Sequence, residues 1–140
     1  MFDDSKILDY KTLKFALKFY TPKQLEHALK VAQFAVEKHT DRLRSILWKV
    51  CVLHDILEDT PCTEEDLKEF YDEGIIETIE LLTHDKEKES YEDYIIKIFS
   101  SDDYYAQEVK RADIKDHLSR EEMLTQKLKD KYYPIIKYVL

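Results

Sequence analysis

The sequence predicts an all-α fold, and two scarcities and one periodicity carry that prediction. Glycine occurs once and proline three times in 140 residues, which leaves almost none of the turn chemistry that β-hairpins need and excludes glycine-rich phosphate loops. Apolar residues instead recur at intervals of three and four, the spacing that lines one face of a helix. About seven or eight helices with short connections fit the pattern as a compact bundle. The length suits a single domain over residues 1–140 with room for one real core.

Taken in order, Thr21-Pro22-Lys23-Gln24 reads as a capping box, with proline at the first helical position and glutamine three residues after the threonine. Leu25, Ala28, Leu29, Ala32 and Val36 mark the apolar stripe of the helix it opens. Arg42 and Arg44 begin the next, whose apolar stretches Ile46-Leu47-Trp48 and Val50-Cys51-Val52-Leu53 should be buried. Thr63 and Asp66 open another helix just after Pro61, and Gly74 is expected to end it. Segment 85–92 is the most polar and reads as a mobile loop. Leu124, Leu128, Tyr132, Ile135 and Val139 then recur at helical spacing to the end of the chain. No internal repeat or low-complexity segment interrupts the series.

The formal net charge of -8 argues against nucleic acid as a partner, because phosphate-backbone binding requires a basic excess. A small anionic ligand stays possible if a metal and a few placed lysines or arginines make a local cationic site. There is no apolar run long enough to span a membrane and no basic-then-apolar start resembling a signal peptide, so the expected compartment is the cytoplasm. Cys51 and Cys62 do not make a disulfide framework and lack metal-site spacing.

The densest chemistry lies in His54-Asp55-Ile56-Leu57-Glu58-Asp59-Thr60, which emerges directly from the buried stretch. Continued as a helix, it stacks His54 over Glu58 and Asp55 over Asp59 in two adjacent columns. Burying such a face without a counter-ion costs several kcal/mol or neutralises the carboxylates. A bound divalent cation is the simplest remedy, but a stable site needs further ligands. His27 projects from the first capped helix in line with Val31 and Phe34; taken alone, it reads as a core histidine bonded to a backbone carbonyl. His39, beside Lys38 and Asp41, reads as a partner for a helix C-terminus. His84 sits at an element end. Val109, Asp113 and His117 share one helical face, and the plain reading of Asp113 is a partner for Lys110.

Taken together, a histidine, a His-Asp pair 27 residues later and an aspartate 58 residues beyond the pair resemble the HD superfamily of metal-dependent phosphohydrolases. His54-Asp55-x-x-Glu58-Asp59-Thr60 and Val109-Lys110-Arg111-Ala112-Asp113 look like the hydrolase half of the RelA/SpoT family and the small alarmone hydrolases. Those enzymes remove the 3′-pyrophosphate from (p)ppGpp. The resemblance covers roughly residues 20–120. It implies an HD-type helical bundle, with His27, His54, Asp55 and Asp113 as metal ligands, and with Glu58 and Asp59 positioning or deprotonating the attacking water.

Two imidazoles and two carboxylates suit Mn²⁺, Fe²⁺ or Zn²⁺ better than Ca²⁺ or Mg²⁺, and the resemblance favours one Mn²⁺ per chain. Lys110, Lys115, His117, Arg44 and Tyr91 are the candidate substrate contacts, with Arg42, Arg111 and Tyr94 alongside them. Two features depart from the long alarmone hydrolases. His117 stands where they carry a nucleotide-contacting asparagine, and Phe19-Tyr20-Thr21-Pro22-Lys23 replaces their basic segment ahead of the first histidine. The expected function is (p)ppGpp pyrophosphohydrolase. Hydrolysis of another nucleotide or a phosphodiester, and a catalytically silent nucleotide sensor, are the alternatives. The sequence does not specify an oligomeric state.

Overall fold

The computed structural model describes residues 9–39, 42–121 and 125–140, and these are helical throughout apart from turns and connections. The segments are α1 (Tyr10–Phe19), α2 (Pro22–Glu37), α3 (Leu43–Leu53), α4 (Ile56–Asp59), α5 (Glu64–Lys68), α6 (Glu73–Leu81), α7 (Tyr91–Ser100), α8 (Tyr104–Arg120), α9 (Gln126–Tyr132) and α10 (Ile136–Val139). Most begin at a side-chain cap. Asp9, Thr21, Thr63, Asp72, Ser90, Asp103 and Thr125 each accept a backbone N–H from the first turn they open, which satisfies donors the helix itself leaves free. At α2 the capping box closes both ways: Gln24 N–H donates to Thr21 Oγ1 at 3.2 Å and Thr21 N–H to Gln24 Oε1 at 2.8 Å.

Three local expectations change in the folded chain. Gly74 does not end the helix opened by Thr63; α5 stops at Lys68 and Gly74 lies in the first turn of α6. Asp72 supplies the new start by accepting from Ile75 N–H at 3.0 Å, and the glycine has no positive φ. The C-terminal run is broken at Pro134, which cannot donate to the preceding turn, so α9 and α10 replace one helix. Leu124 of that run, and Asp41 beside His39, lie outside the described residues.

The third change concerns the His54 segment. α3 ends at Leu53, His54 N–H donates to Cys51 O at 3.3 Å, and Asp55 takes φ -100°, ψ 2° before α4 starts. The two columns of a continuous helix therefore do not form. His54 and Asp55 occupy a corner, and Glu58 and Asp59 ride on the separate single turn that follows it.

α2 packs most extensively against α3 and α8. Small buried residues on α2, Ala28, Ala32 and Ala35, let both neighbours approach closely. Opposite them lie Leu47, Val50, Cys51 and Leu53 of α3 and Val109, Ala112 and Ile114 of α8, all buried. This three-helix core brings the first half of α2, the end of α3 and the middle of α8 to one place. Tyr20 reinforces it, its hydroxyl donating to Val52 O at 2.6 Å.

Because Thr21 caps the helix that carries His27, Thr21→Ala should lower unfolding stability by about 1 kcal/mol. Urea denaturation followed by far-UV circular dichroism measures the shift.

Candidate metal centre and cavity

His54 is fully buried. Its Nδ1 lies 2.6 Å from Cys51 O, and a carbonyl only accepts, so Nδ1 carries the proton and Nε2 presents its lone pair. That Nε2 is buried without a hydrogen-bond partner. It stands 3.2 Å from Asp55 Oδ2 and 3.5 Å from Asp113 Oδ1. A lone pair facing two carboxylate oxygens in a buried setting is repulsive unless a proton or a cation lies between them.

His27 completes the group from α2, with Nε2 2.9 Å from Asp113 Oδ1 and 3.7 Å from Asp55 Oδ2. Ligands held ~2.1 Å from one ion at right angles to each other sit ~3 Å apart, close to the spacings seen here. His27, His54 and Asp55 form one set that could hold an ion, and His27, Asp113 and His117 form another. The donor set therefore fits a divalent transition metal. Its electrostatics agree with that fit. Burial works against charge on His54, yet Asp55 and Asp113 override it and raise its pKa well above the ordinary histidine value. His27 is raised in the same way, against burial, by Asp113 and Asp116. Burial also opposes ionisation of Asp113, but Lys110 and three histidines hold its carboxyl well below the usual range.

Glu58 and Asp59 reach the same space from α4. Glu58 Oε1 accepts from the backbone N–H of His84 at 2.9 Å, which fixes one oxygen and ties α4 to the loop after α6. Asp59 is raised above the ordinary aspartate value by burial and by the negative charges of Asp55 and Glu58, whereas Asp55 and Asp113 are lowered. Gln24 anchors this corner to α2 by donating to Asp59 O at 3.2 Å.

These groups line a cavity of about 360 Å³. His27, Asp55, Asp113 and His117 form part of its wall, Glu58 and Asp59 another, while His84, Tyr91 and Tyr94 contribute rings and Lys23, Lys86, Lys110 and Lys131 contribute cations. Lys110 is buried, with Nζ 2.7 Å from Asp113 Oδ2 and 5.0 Å from the centre of the Tyr94 ring, so much of its charge is already matched by Asp113. Lys131 lies 4.7 Å over Tyr91; burial and repulsion from Lys110 lower its pKa. His117 Nε2 is 3.3 Å from Asp113 Oδ1.

The remaining candidates lie elsewhere. Lys115 turns onto the Phe34 ring at 4.6 Å and does not line the cavity. Neither does Arg44, whose Nε is buried without a partner. Arg111 donates to Val139 O at 2.7 Å and to Glu108 at 2.8 Å. His39 Nε2 meets Glu108 Oε1 at 3.1 Å, a tie between the end of α2 and α8 in place of a helix-terminus contact. Lys23, Gln24, Lys86 and Lys131 are cavity residues that the sequence reading missed. Lys23 had a usable signal, since it precedes His27 by four residues on the same helix face. Lys131 had none, because only the return of α9 to the cavity places it there.

No family model and no curated protein matches the sequence. A solved structure of a metazoan ortholog of SpoT, which hydrolyzes ppGpp and plays a role in starvation responses, aligns with a TM-score of 0.72 and 22% identity. The alignment covers 99% of this chain and 85% of that one. The chain shares the all-helical fold of that protein. Among the described residues, no helix is long and apolar enough to cross a membrane.

His54→Ala and Asp113→Ala should each abolish retention of a divalent ion through gel filtration, read by elemental analysis. Because the imidazoles hold protons tightly when metal-free, ligation must expel those protons. Mn²⁺ affinity should therefore rise with pH through the raised histidine range, with proton release measurable by calorimetry in buffers of different ionisation heat.

Proposed function

We propose that the protein is a metal-dependent nucleotide phosphohydrolase whose best-supported reaction is removal of the 3′-pyrophosphate from (p)ppGpp. The observation that carries this reading is the buried, unpartnered Nε2 of His54, which faces Asp55 and Asp113 beside His27 in the wall of a lysine-bearing cavity. His27, His54, Asp55 and Asp113 would hold the ion, with Mn²⁺ favoured and Fe²⁺ or Zn²⁺ compatible with the donors. When bound, such an ion lowers the pKa of a water and offsets charge gathering on phosphoryl oxygens.

The chain's own groups supply the rest. Asp59, its carboxylate raised by burial and by Asp55 and Glu58, accepts the proton of the attacking water, and Glu58, anchored on the His84 N–H, orients that water. Water oxygen bonds to the 3′ phosphorus as its bond to the 3′ oxygen breaks; pyrophosphate departs, and the proton taken by Asp59 passes to the 3′ oxygen to leave a hydroxyl. Lys23, Lys86 and Lys131 offer ammonium groups to phosphate oxygens. Tyr91 presents a ring face, and His117 can donate to a ribose or base. The fold shared with a ppGpp hydrolase supports the reaction class. The replacement of asparagine by His117 gives weight to a second reading, in which the same centre acts on another nucleotide or a phosphodiester. The unpaired thiols of Cys51 and Cys62 suit a reducing, cytoplasmic setting.

A Mn²⁺-supplemented screen over ppGpp, pppGpp, NTPs, dNTPs and cyclic dinucleotides should release pyrophosphate from the alarmones alone. Release from a different nucleotide would establish the second reading, and no turnover of any would favour a binding role. Glu58→Gln should retain the ion and lose about 100-fold or more in kcat; turnover at the parent rate would remove Glu58 from the water-handling role.

A further inference from the structure

We infer that Asp116, braced by Arg120, is a positioning residue that fixes the tautomer of His27 and sets how strongly His27 holds a divalent ion; the inference rests on the metal centre proposed above. Asp116 Oδ2 lies 2.6 Å from His27 Nδ1, across 89 residues of sequence and between two helices. An ionised carboxylate only accepts. Nδ1 therefore carries a proton; Nε2, 2.9 Å from Asp113 Oδ1, gives up its own when an ion binds, which leaves the Nε2 lone pair for the ion and the Nδ1 proton on Asp116. The guanidinium of Arg120 also approaches His27 Nδ1, at 3.5 Å. That contact is far longer than the carboxylate contact and, as a donor, would demand the opposite tautomer; the 2.6 Å contact decides.

The placement follows from helical spacing. Asp113 and Asp116 are three residues apart on α8, so they lie on one face a turn apart. They bracket the imidazole of His27, Asp113 at Nε2 and Asp116 at Nδ1. One helix thus addresses both nitrogens of a ring carried by another.

His54 offers an internal comparison. Its Nδ1 proton goes to a neutral carbonyl, that of Cys51, whereas His27 gives its proton to a charged acceptor. A carboxylate acceptor raises the basicity of the opposite nitrogen and locks the ring against rotation. Asp116 is only 1% exposed. Its charge is held there by Arg120 Nη2 at 3.2 Å, while its Oδ1 is buried without a partner. An Asp116–Arg120 pair four residues apart could staple α8 by itself from an exposed position; burial against His27 is what ties it to the metal centre.

The test compares Asp116→Ala with the parent, both stripped by chelator and then titrated with Mn²⁺ in competition with an indicator. Asp116→Leu, similar in volume and without an acceptor, serves if the alanine variant fails to fold, and circular dichroism establishes folding for each. Affinity should fall 10- to 100-fold. Long-range ¹H–¹⁵N spectra of the metal-free protein, taken above the raised histidine range so that both rings are neutral, should show His27 losing its Nδ1–H pattern while His54 keeps its own, a selective change that general loosening of α8 would not produce. A folded variant that binds Mn²⁺ within twofold of the parent, or that retains the His27 pattern, overturns the assignment. A parent that binds no divalent ion overturns it together with the metal centre. Both readouts are taken without substrate, so a protein that binds Mn²⁺ and hydrolyses no nucleotide removes the proposed function and leaves the role of Asp116 standing.

Discussion

Where α2, α3 and α8 converge, two imidazoles and two carboxylates share a buried space that electrostatics will not allow to stand uncompensated. His54 is fully buried, its Nε2 has no partner, and the nearest groups are anionic. Either protons or a cation must occupy that space. The raised histidines and depressed aspartates are the signature of protons doing so. A divalent ion would discharge the same tension with the imidazoles neutral, which is why the geometry reads as a metal centre.

The corner at His54 and Asp55 is what separates that pair from Glu58 and Asp59. Had α3 continued, Glu58 and Asp59 would have stacked directly on His54 and Asp55 along one helix. The break swings them onto their own turn, where the His84 N–H holds Glu58 and Gln24 holds the backbone of Asp59. Four acidic or imidazole groups from seven consecutive residues thereby face the space from two directions. The cap of α2 serves the same end, because Gln24 closes the capping box and anchors the corner at once.

Charge follows a similar division of scale. The chain as a whole carries -8, which repels polyanions at long range. The cavity nevertheless gathers four lysines, and of these Lys110 is matched by Asp113. The same wall carries four carboxylates, Asp55, Glu58, Asp59 and Asp113, so the lysines not matched by Asp113 are the groups that would meet the phosphates of the substrate proposed above.

By itself the sequence determined the all-α class, the capping box before His27 and the burial of the Val50–Leu53 stretch, and through a family resemblance it named four candidate ligands that the fold brings together. Each of these rests on neighbours within a turn or two or on a spaced motif, and such signals are written locally. It misplaced the end at Gly74, read α9 and α10 as one helix and carried α3 through His54, because an N-cap, a proline and a corner competed with periodicity there. Only the tertiary structure decided that Lys115 faces Phe34, that Lys131 returns to the cavity and that Asp116 reaches His27 from 89 residues away. Those contacts depend on how helices pack in three dimensions, and a residue's direction across a helix interface is fixed by its partner as much as by its own place in the chain.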